Sequence, residues 1–327
     1  MVQIESIELT NFSQWLRVTK KCEYATFFHT PYWFRLFGSE KEICARTIKF
    51  SDKKIAVIPL LECSKLCGFI KDYFCSPCAT YGGWISEDDL SNEHKKALFK
   101  FMLQKKNLIW RENPLSNTIC SAPPKKYSVK TDYTHMICLK NKSIEEIHSA
   151  MSQSHKRSLK KALRQNIQII QAQSVEHWKM YYHLYELSLN RWKEGGKEKK
   201  TRTIYPWSLF EKIIDLESST ATLWLAMFEE KAISGMLCFY WNSHAVYWHG
   251  ASDSSYFSLR PNNLLYWRVI CDAAERGYKW FDFNPSGGYS GVQSFKEQFG
   301  AQRCTSRVFQ NPSLLRKNLT AVRKAFL

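Results

Sequence analysis

The chain has 327 residues, 44% of them hydrophobic and 15% aromatic, with a formal net charge of +17. That composition excludes a disordered chain, and the length exceeds the roughly 100–200 residues of one ordinary domain, which predicts two hydrophobic cores. No apolar run approaches the ~20 residues that span a bilayer, no basic leader with an apolar core opens the sequence, and eleven cysteines in so long a chain read as reduced thiols, so a cytoplasmic protein is expected.

In chain order, Thr30 followed by Pro31 and Tyr-Trp-Phe-Arg-Leu-Phe reads as an N-cap, a proline at the first helical position and a short apolar helix. Residues 43–50 and 54–61 read as two strands joined across Ser51, Asp52 and Lys53. Asp88 and Asp89 open an amphipathic helix to about Lys105, residues 107–111 form a strand, and the proline-containing stretch 113–132 is irregular. A strand at 133–139 follows, then the capping box Ser143-Ile-Glu-Glu146. A domain boundary is expected near residue 140, giving domains 1–140 and 141–327.

The second half opens on a basic helix, His155 to Gln165, with Lys156, Lys160 and Arg164 at i, i+4 spacing and Arg157 and Lys161 beside them. Next come a helix over 175–193, a charged connection Glu194–Arg202, a helix after Pro206, and strands at 221–228, 232–241 and 245–251. The chain ends on a helix over 261–276, a strand over 279–283, a glycine-rich loop, a short helix near 293–299 and a strand over 304–309. This order predicts a mixed α/β fold with antiparallel pairing followed by a crossover, and a weak architectural duplication with the first half.

The segment from Trp280 to Ala301 carries the most chemical information. Alternation places Asp282 and Asn284 on one strand face, while Ser286, Gly287 and Gly288 offer backbone N–H groups ahead of a helix N-terminus, and Lys296 adds a point charge. A strand ending in Asp-Phe, a glycine-containing turn and the ending Phe-Lys-x-x-Phe-Gly-Ala, Phe295 to Ala301, together with the Pro-Tyr-Trp region after Thr30, Ile58–Leu60, Tyr81–Gly83, the basic helix and Arg191 in Leu-Asn-Arg-Trp, resemble the Fem-like branch of the GNAT acyltransferase superfamily, the peptidoglycan-bridge aminoacyl ligases and their acetyltransferase kin.

The resemblance implies two tandem GNAT-like domains, each a mixed, mostly antiparallel sheet flanked by helices, with the donor site in the second. It implies an N-acyltransferase acting on the amine of an amino sugar or amino acid in cell-envelope or polysaccharide precursor metabolism, with acyl coenzyme A as cosubstrate; an aminoacyl-transfer-RNA-dependent ligase and an inactive GNAT-fold binding module are the alternatives. The turn before the helix at 261 has no glycine, which weighs against coenzyme A, and 194–202 is too short for the helical arm of some bridge-forming ligases, which weighs against transfer RNA.

Acyl transfer to an amine needs a free amine, donors for the oxyanion and a proton for the leaving group. Lys296, Asp282 and Tyr289 are the candidates for charge stabilisation, amine orientation and proton donation. Arg260, Asn262 and Asn263, with Asn284, Ser286, Gly287 and Gly288, are the candidates for holding the donor's phosphate. Lys156, Arg157, Arg191, His249 and Tyr81 are the candidates for the acceptor or another anion. Each has a plainer reading: a solvated helix face for the basic residues, a structural ion pair for Arg191, a hydrogen-bonded core residue for His249. The charge favours phosphate-bearing partners, including transfer RNA and peripheral contact with an anionic membrane, and leaves the oligomeric state open. Cys63-x3-Cys67 and Cys75-x2-Cys78 have the ligands of a zinc site but a spacing and apolar surroundings that favour strand packing, so no metal is expected.

Overall fold

The computed structural model describes residues 2–65, 69–116, 127–194 and 204–312. Cys67, the core of the proline-containing stretch and most of the 194–202 connection lie outside them. Contacts divide the chain into two units: residues 1–133 joined by those from Thr305 onward, and Thr134–Cys304. The sequence reading places this boundary near residue 140.

Unit 1 opens with a strand and helix that its residue pattern does not announce, β1 (Ile4–Leu9) and α1 (Phe12–Lys21). Asn11 starts α1 by accepting the N–H of Gln14 at 2.8 Å. α2 (Pro31–Phe37) begins as read, Thr30 Oγ1 accepting the N–H of Trp33 at 3.2 Å. β2 (Arg46–Phe50) and β3 (Ile55–Ile58) form the expected hairpin, and β1 pairs antiparallel with β2.

A second sheet follows from β4 (Leu61–Lys65), β5 (Ile70–Phe74), the short β6 (Tyr81–Gly82) and β7 (Leu108–Glu112), with α3 (Asn92–Gln104) before β7. α3 starts later than the acidic pair suggests, because the carboxylate of Asp88 accepts the N–H of Ile55 at 2.8 Å and so belongs to the hairpin. Leu98, Phe99, Met102 and Leu103 of α3 pack on Ile48, Ile58, Leu108 and Trp110, and Phe309 stacks on Trp110 at 4.7 Å.

The sequence boundary at Tyr133/Thr134 falls within β8 (Ser128–Cys138), and unit 2 continues with α4 (Ile144–Ser149), α5 (Gln153–Leu163), β9 (Gln168–Gln171), α6 (Val175–Glu194) and α7 (Trp207–Ile214). The expected capping box at Ser143 and Glu146 opens α4, with hydrogen bonds of 3.2 and 2.7 Å. Then come β10 (Ala221–Phe228), β11 (Lys231–Trp241), β12 (His244–Ser252), α8 (Pro261–Glu275), β13 (Trp280–Asp282), α9 (Ser290–Glu297) and β14 (Gln302–Gln310), the last returning to unit 1 from Thr305.

The strand order in unit 2 is β8-β13-β12-β11-β10-β9, antiparallel throughout except for the parallel pair β12/β13 that α8 connects. This is the mixed α/β architecture, antiparallel first and crossover last, that the element order predicts. Alternation along β11 sends Met236, Cys238 and Tyr240 into a core with Leu265, Val269 and Phe281. On the opposite face Gly235 lies under Tyr181 of α6, where a Cβ would come within 2.4 Å of the ring. Burying each such aliphatic side chain is worth about 1.5–3 kcal/mol.

Candidate active site

In unit 2, β12 and β13 pair through His244/Trp280, Ala245/Phe281 and Val246/Asp282. Beyond Val246, β12 continues to Ser252, and among the described residues its ladder runs only with β11, through a bulge between the pairs Cys238/Tyr247 and Leu237/His249. The carboxyl ends of two parallel strands that part company in this way are where α/β sheets bind ligands.

From β12 the chain makes a 3-10 turn over Ser254–Leu259, and Arg260 takes a left-handed conformation (φ 63°), from which Pro261 starts α8. Proline supplies the φ of the first helical turn, and the free N–H groups behind it give that end a partial positive charge. The glycine-free sequence thus still makes the tight entry, with an arginine accepting a conformation that glycine favours.

A cavity of about 370 Å3 opens at this helix end, lined by Arg260, Asn262 and Asn263, by His155 and Ser158 of α5, and by Phe295 and Gln298 at the α9 side. Its walls carry hydrogen-bonding groups that the protein leaves unused. Asn263 is only 6% exposed, and among the described residues its side-chain amide has no hydrogen-bond partner. His155 is 5% exposed, and its buried Nε2 has none either. A buried polar group without a partner costs about 1–3 kcal/mol, so such a cluster marks a place where a ligand completes the set. The His155 ring stands edge-on to Phe295 and Phe299, at 5.0 and 4.5 Å. Burial holds its pKa below the ordinary imidazole value and the charge of Arg260 adds to this, while Gln298 opposes it. Asn262 is fixed: its Oδ1 accepts from Ser234 Oγ at 2.6 Å and from Ser252 Oγ at 2.8 Å.

The loop after β13 forms a second cluster. Asp282 is fully buried, and its Oδ1 accepts from Thr134 Oγ1 at 2.6 Å and from the N–H of Asn284 at 2.7 Å. Lys296, 2% exposed, donates from Nζ to the backbone carbonyl of Asn284 at 2.6 Å. Asn284 is not on the strand face expected from alternation: β13 ends at Asp282, and Asn284 turns the chain with φ 60°. Asn284 Oδ1 and Ser286 Oγ are buried without hydrogen-bond partners. Gly287 and Gly288 are exposed with positive φ, and half-buried Tyr289 is the N-cap of α9. Beside this loop His135 Nε2 and Arg303 Nη2 share Glu297 Oε1 at 3.1 and 3.0 Å, and burial, ahead of the opposing Glu297, lowers the His135 pKa.

The remaining candidates are dispersed. Arg191 donates from Nη1 to the carbonyl of Ser252 at 2.9 Å and lies 5.2 Å over the Phe257 ring, which also borders the cavity. His249 Nδ1 shares a 2.6 Å hydrogen bond with Tyr181 Oη among the rings of Tyr185, Tyr205 and Phe210. Lys156 reaches back to the carbonyl of Ser149 at 2.8 Å, while Arg157, Lys160 and Arg164 face solvent on the side of α5 away from His155. Tyr81 is fully buried in unit 1 against Phe28. The structure therefore gathers Arg260, Asn262 and Asn263 in one place and Asp282, Asn284, Ser286 and Lys296 in another. His155, Ser234 and Ser252 join the first group without a signal in the sequence, since only tertiary packing brings α5, β11 and β12 to the start of α8. Among the described residues no cluster of three or more His, Cys, Asp or Glu side chains is arranged to hold a metal, and no helix is long and apolar enough to cross a membrane.

Unit 2 is a mixed sheet whose one parallel pair among the described strands is bridged by a crossover helix, with a polar cavity at that helix's N-terminus, and residues 149–297, which lie within it, match the family model described as an acetyltransferase (GNAT) domain. The whole chain is similar in fold to FemX, on which it superposes with a TM-score of 0.67 at 15% identity, covering 97% of this chain and 99% of that one. It also resembles a C-terminal domain assigned to a lysylphosphatidylglycerol synthetase of Agrobacterium fabrum, with a TM-score of 0.56, 9% identity and 90% of each chain covered. L-PGS from Bacillus licheniformis gives 0.52 at 11% identity, over 87% of this chain and 89% of that one. No curated protein matches the chain in sequence.

Proposed function

We propose that the protein moves an acyl group from acyl coenzyme A to the amine of an amino sugar or amino acid in cell-envelope precursor metabolism, with the donor's phosphates at the N-terminus of α8. The observation that carries this reading is the cavity there, lined by His155, whose buried Nε2 has no hydrogen-bond partner, and by Asn263, whose side-chain amide makes no hydrogen bond among the described residues. In the step itself the amine nitrogen attacks the thioester carbonyl, the C–N bond forms as the C–S bond breaks, the leaving thiolate takes its proton from Tyr289, and the proton lost by the amine restores the Tyr289 hydroxyl. Asp282 orients the amine, Lys296 offsets the negative charge that develops on the carbonyl oxygen, and Tyr289 supplies the leaving group's proton.

A second reading, an aminoacyl-transfer-RNA donor, is favoured by the exposed cations Arg157, Lys160 and Arg164 on α5 and by the net charge of +17. Its likeness in fold to the lysylphosphatidylglycerol synthetase domain adds anionic lipid to the acceptors worth testing. Thermal-shift titrations with coenzyme A, acetyl coenzyme A, nucleotide sugars and a charged transfer RNA at two salt concentrations separate these readings. Stabilisation by the coenzymes that survives high salt is expected. Stabilisation by transfer RNA alone, lost as salt rises, replaces the first reading with the second. No shift with any ligand leaves a GNAT-fold binding module.

A further inference from the structure

Arg260 and the backbone of α8 do not account for the polar work done around Asn262. Its amide lies at the rim of the cavity with one end tied down twice, since Ser234 Oγ and Ser252 Oγ both donate to Oδ1, at 2.6 and 2.8 Å. The two hydroxyls are themselves 3.0 Å apart, Ser234 is fully buried and Ser252 is 8% exposed. The other end is unused: among the described residues Nδ2 donates to nothing. With Oδ1 turned toward the two serines, the N–H2 end is the one presented away from them. The mount is stiffened further, because the backbone N–H of Ser252 and the hydroxyl of Ser188 lie 3.3 Å apart and Arg191 donates to the Ser252 carbonyl at 2.9 Å.

We infer that Asn262, oriented by Ser234 and Ser252, and its unpartnered neighbour Asn263 form a side-chain cradle for a phosphate group, taking the part that glycine backbone plays in a glycine-rich loop, with Ser234 and Ser252 as positioning residues. This rests on reading the cavity as the donor's phosphate site. Its chemistry is that of two neutral amide donors beside a helix N-terminus and one arginine. A diphosphate or phosphomonoester is held there by several hydrogen bonds without burying a lysine. The Asn262 side-chain amide supplies a donor that does not depend on the backbone, so a turn containing Arg260 and Pro261 instead of glycines serves the same end.

The test is binding of inorganic pyrophosphate and of coenzyme A, by calorimetry on the full chain, to the unsubstituted protein and to N262D, N262A, S252T and the double variant S234A/S252A. N262D keeps an oxygen for both serines and replaces only the free donor by an anionic acceptor, so it leaves the thermal midpoint without ligand near its original value. It is expected to weaken both probes at least about tenfold. S234A/S252A is expected to weaken them about three- to tenfold and to raise the donor KM with little change in kcat, and S252T, which keeps the hydroxyl, to stay close to the unsubstituted protein. Equal binding of pyrophosphate by N262D and the unsubstituted protein overturns the cradle while leaving the acyltransferase reading in place. Failure of the unsubstituted protein to bind pyrophosphate also overturns it, and acyl transfer measured in the same preparation then decides separately whether the wider reading stands.

Discussion

Asp282 Oδ1 accepts a hydrogen bond from Thr134 Oγ1 at 2.6 Å, and the two residues are both fully buried. They come from neighbouring antiparallel strands, where Asp282 lies opposite Met136. Thr134→Val removes the donor without changing the shape and leaves a buried carboxylate short of one partner. The expected cost is about 1–3 kcal/mol, a fall of several degrees in the thermal midpoint. If the carboxylate orients the amine, the variant also lowers kcat more than it changes the donor KM, whereas a fall in stability with unchanged kinetics limits Asp282 to structure.

His155 makes stability depend on pH. Burial lowers its folded pKa below the ordinary value of about 6.5, so between the two values the unfolded chain binds more protons than the folded one. The sign follows: the contribution is present above about pH 6.5 and is lost as pH falls through the folded pKa. His135 shifts in the same direction and adds to the slope. Thermal midpoints measured between pH 5 and 8 should fall toward acid, and His155→Gln should flatten part of that fall. An unchanged slope in the variant refutes the assignment. A bound phosphate should reverse the local preference, because an anion beside His155 favours its protonated form, so the acid-side loss should shrink when pyrophosphate is present.

Local signals in the sequence are read correctly where one element decides the outcome by itself. The Thr30–Pro31 start of α2, the Ser143–Glu146 box and the β2/β3 hairpin are each set by residues within a few positions of one another. Reading fails where a side chain is claimed from far away. Asp88 looks like a helix start but caps the β3 hairpin, and Asn284 looks like a strand residue but turns the chain because Asp282 captures its N–H. The cavity at the start of α8 is half legible: Arg260, Asn262 and Asn263 are contiguous and precede an obvious helix, whereas His155, Ser234 and Ser252 arrive from other elements, more than a hundred residues away for His155 and with no periodic or compositional mark for the serines.

Lys296 is almost fully buried, and its Nζ donates to the Asn284 carbonyl at 2.6 Å. A lysine taken so far from water is expensive unless its charge is used. Lys296→Met, similar in length and uncharged, is expected to lower kcat by about a hundredfold or more, the usual cost of removing one donor from an oxyanion site. It is expected to leave donor binding at the α8 cavity unchanged, because that cavity does not include Lys296. Retention of kcat within a few-fold assigns the lysine to holding the loop at Asn284, and loss of donor binding along with kcat points to collapse of that loop.

Gly235 tests how α6 is held on the sheet. A Cβ there would lie 2.4 Å from Cδ2 of Tyr181 and 3.0 Å from Cδ2 of Leu225, and Tyr181 cannot swing aside without breaking its 2.6 Å hydrogen bond to His249 Nδ1. The neighbouring residues are core on both sides, so the strain has no surface to relax into. Gly235→Ala is therefore expected to destabilise unit 2 by about 1–3 kcal/mol, the usual range for overpacking. Because α6 also carries Ser188 and Arg191, both bonded to Ser252, the same variant should loosen the mount of Asn262 and weaken pyrophosphate binding. Pairing it with Tyr181→Phe, which removes the bond to His249 and frees the ring to move, should recover part of the lost stability. A double variant no more stable than Gly235→Ala alone would place the clash on Leu225 instead.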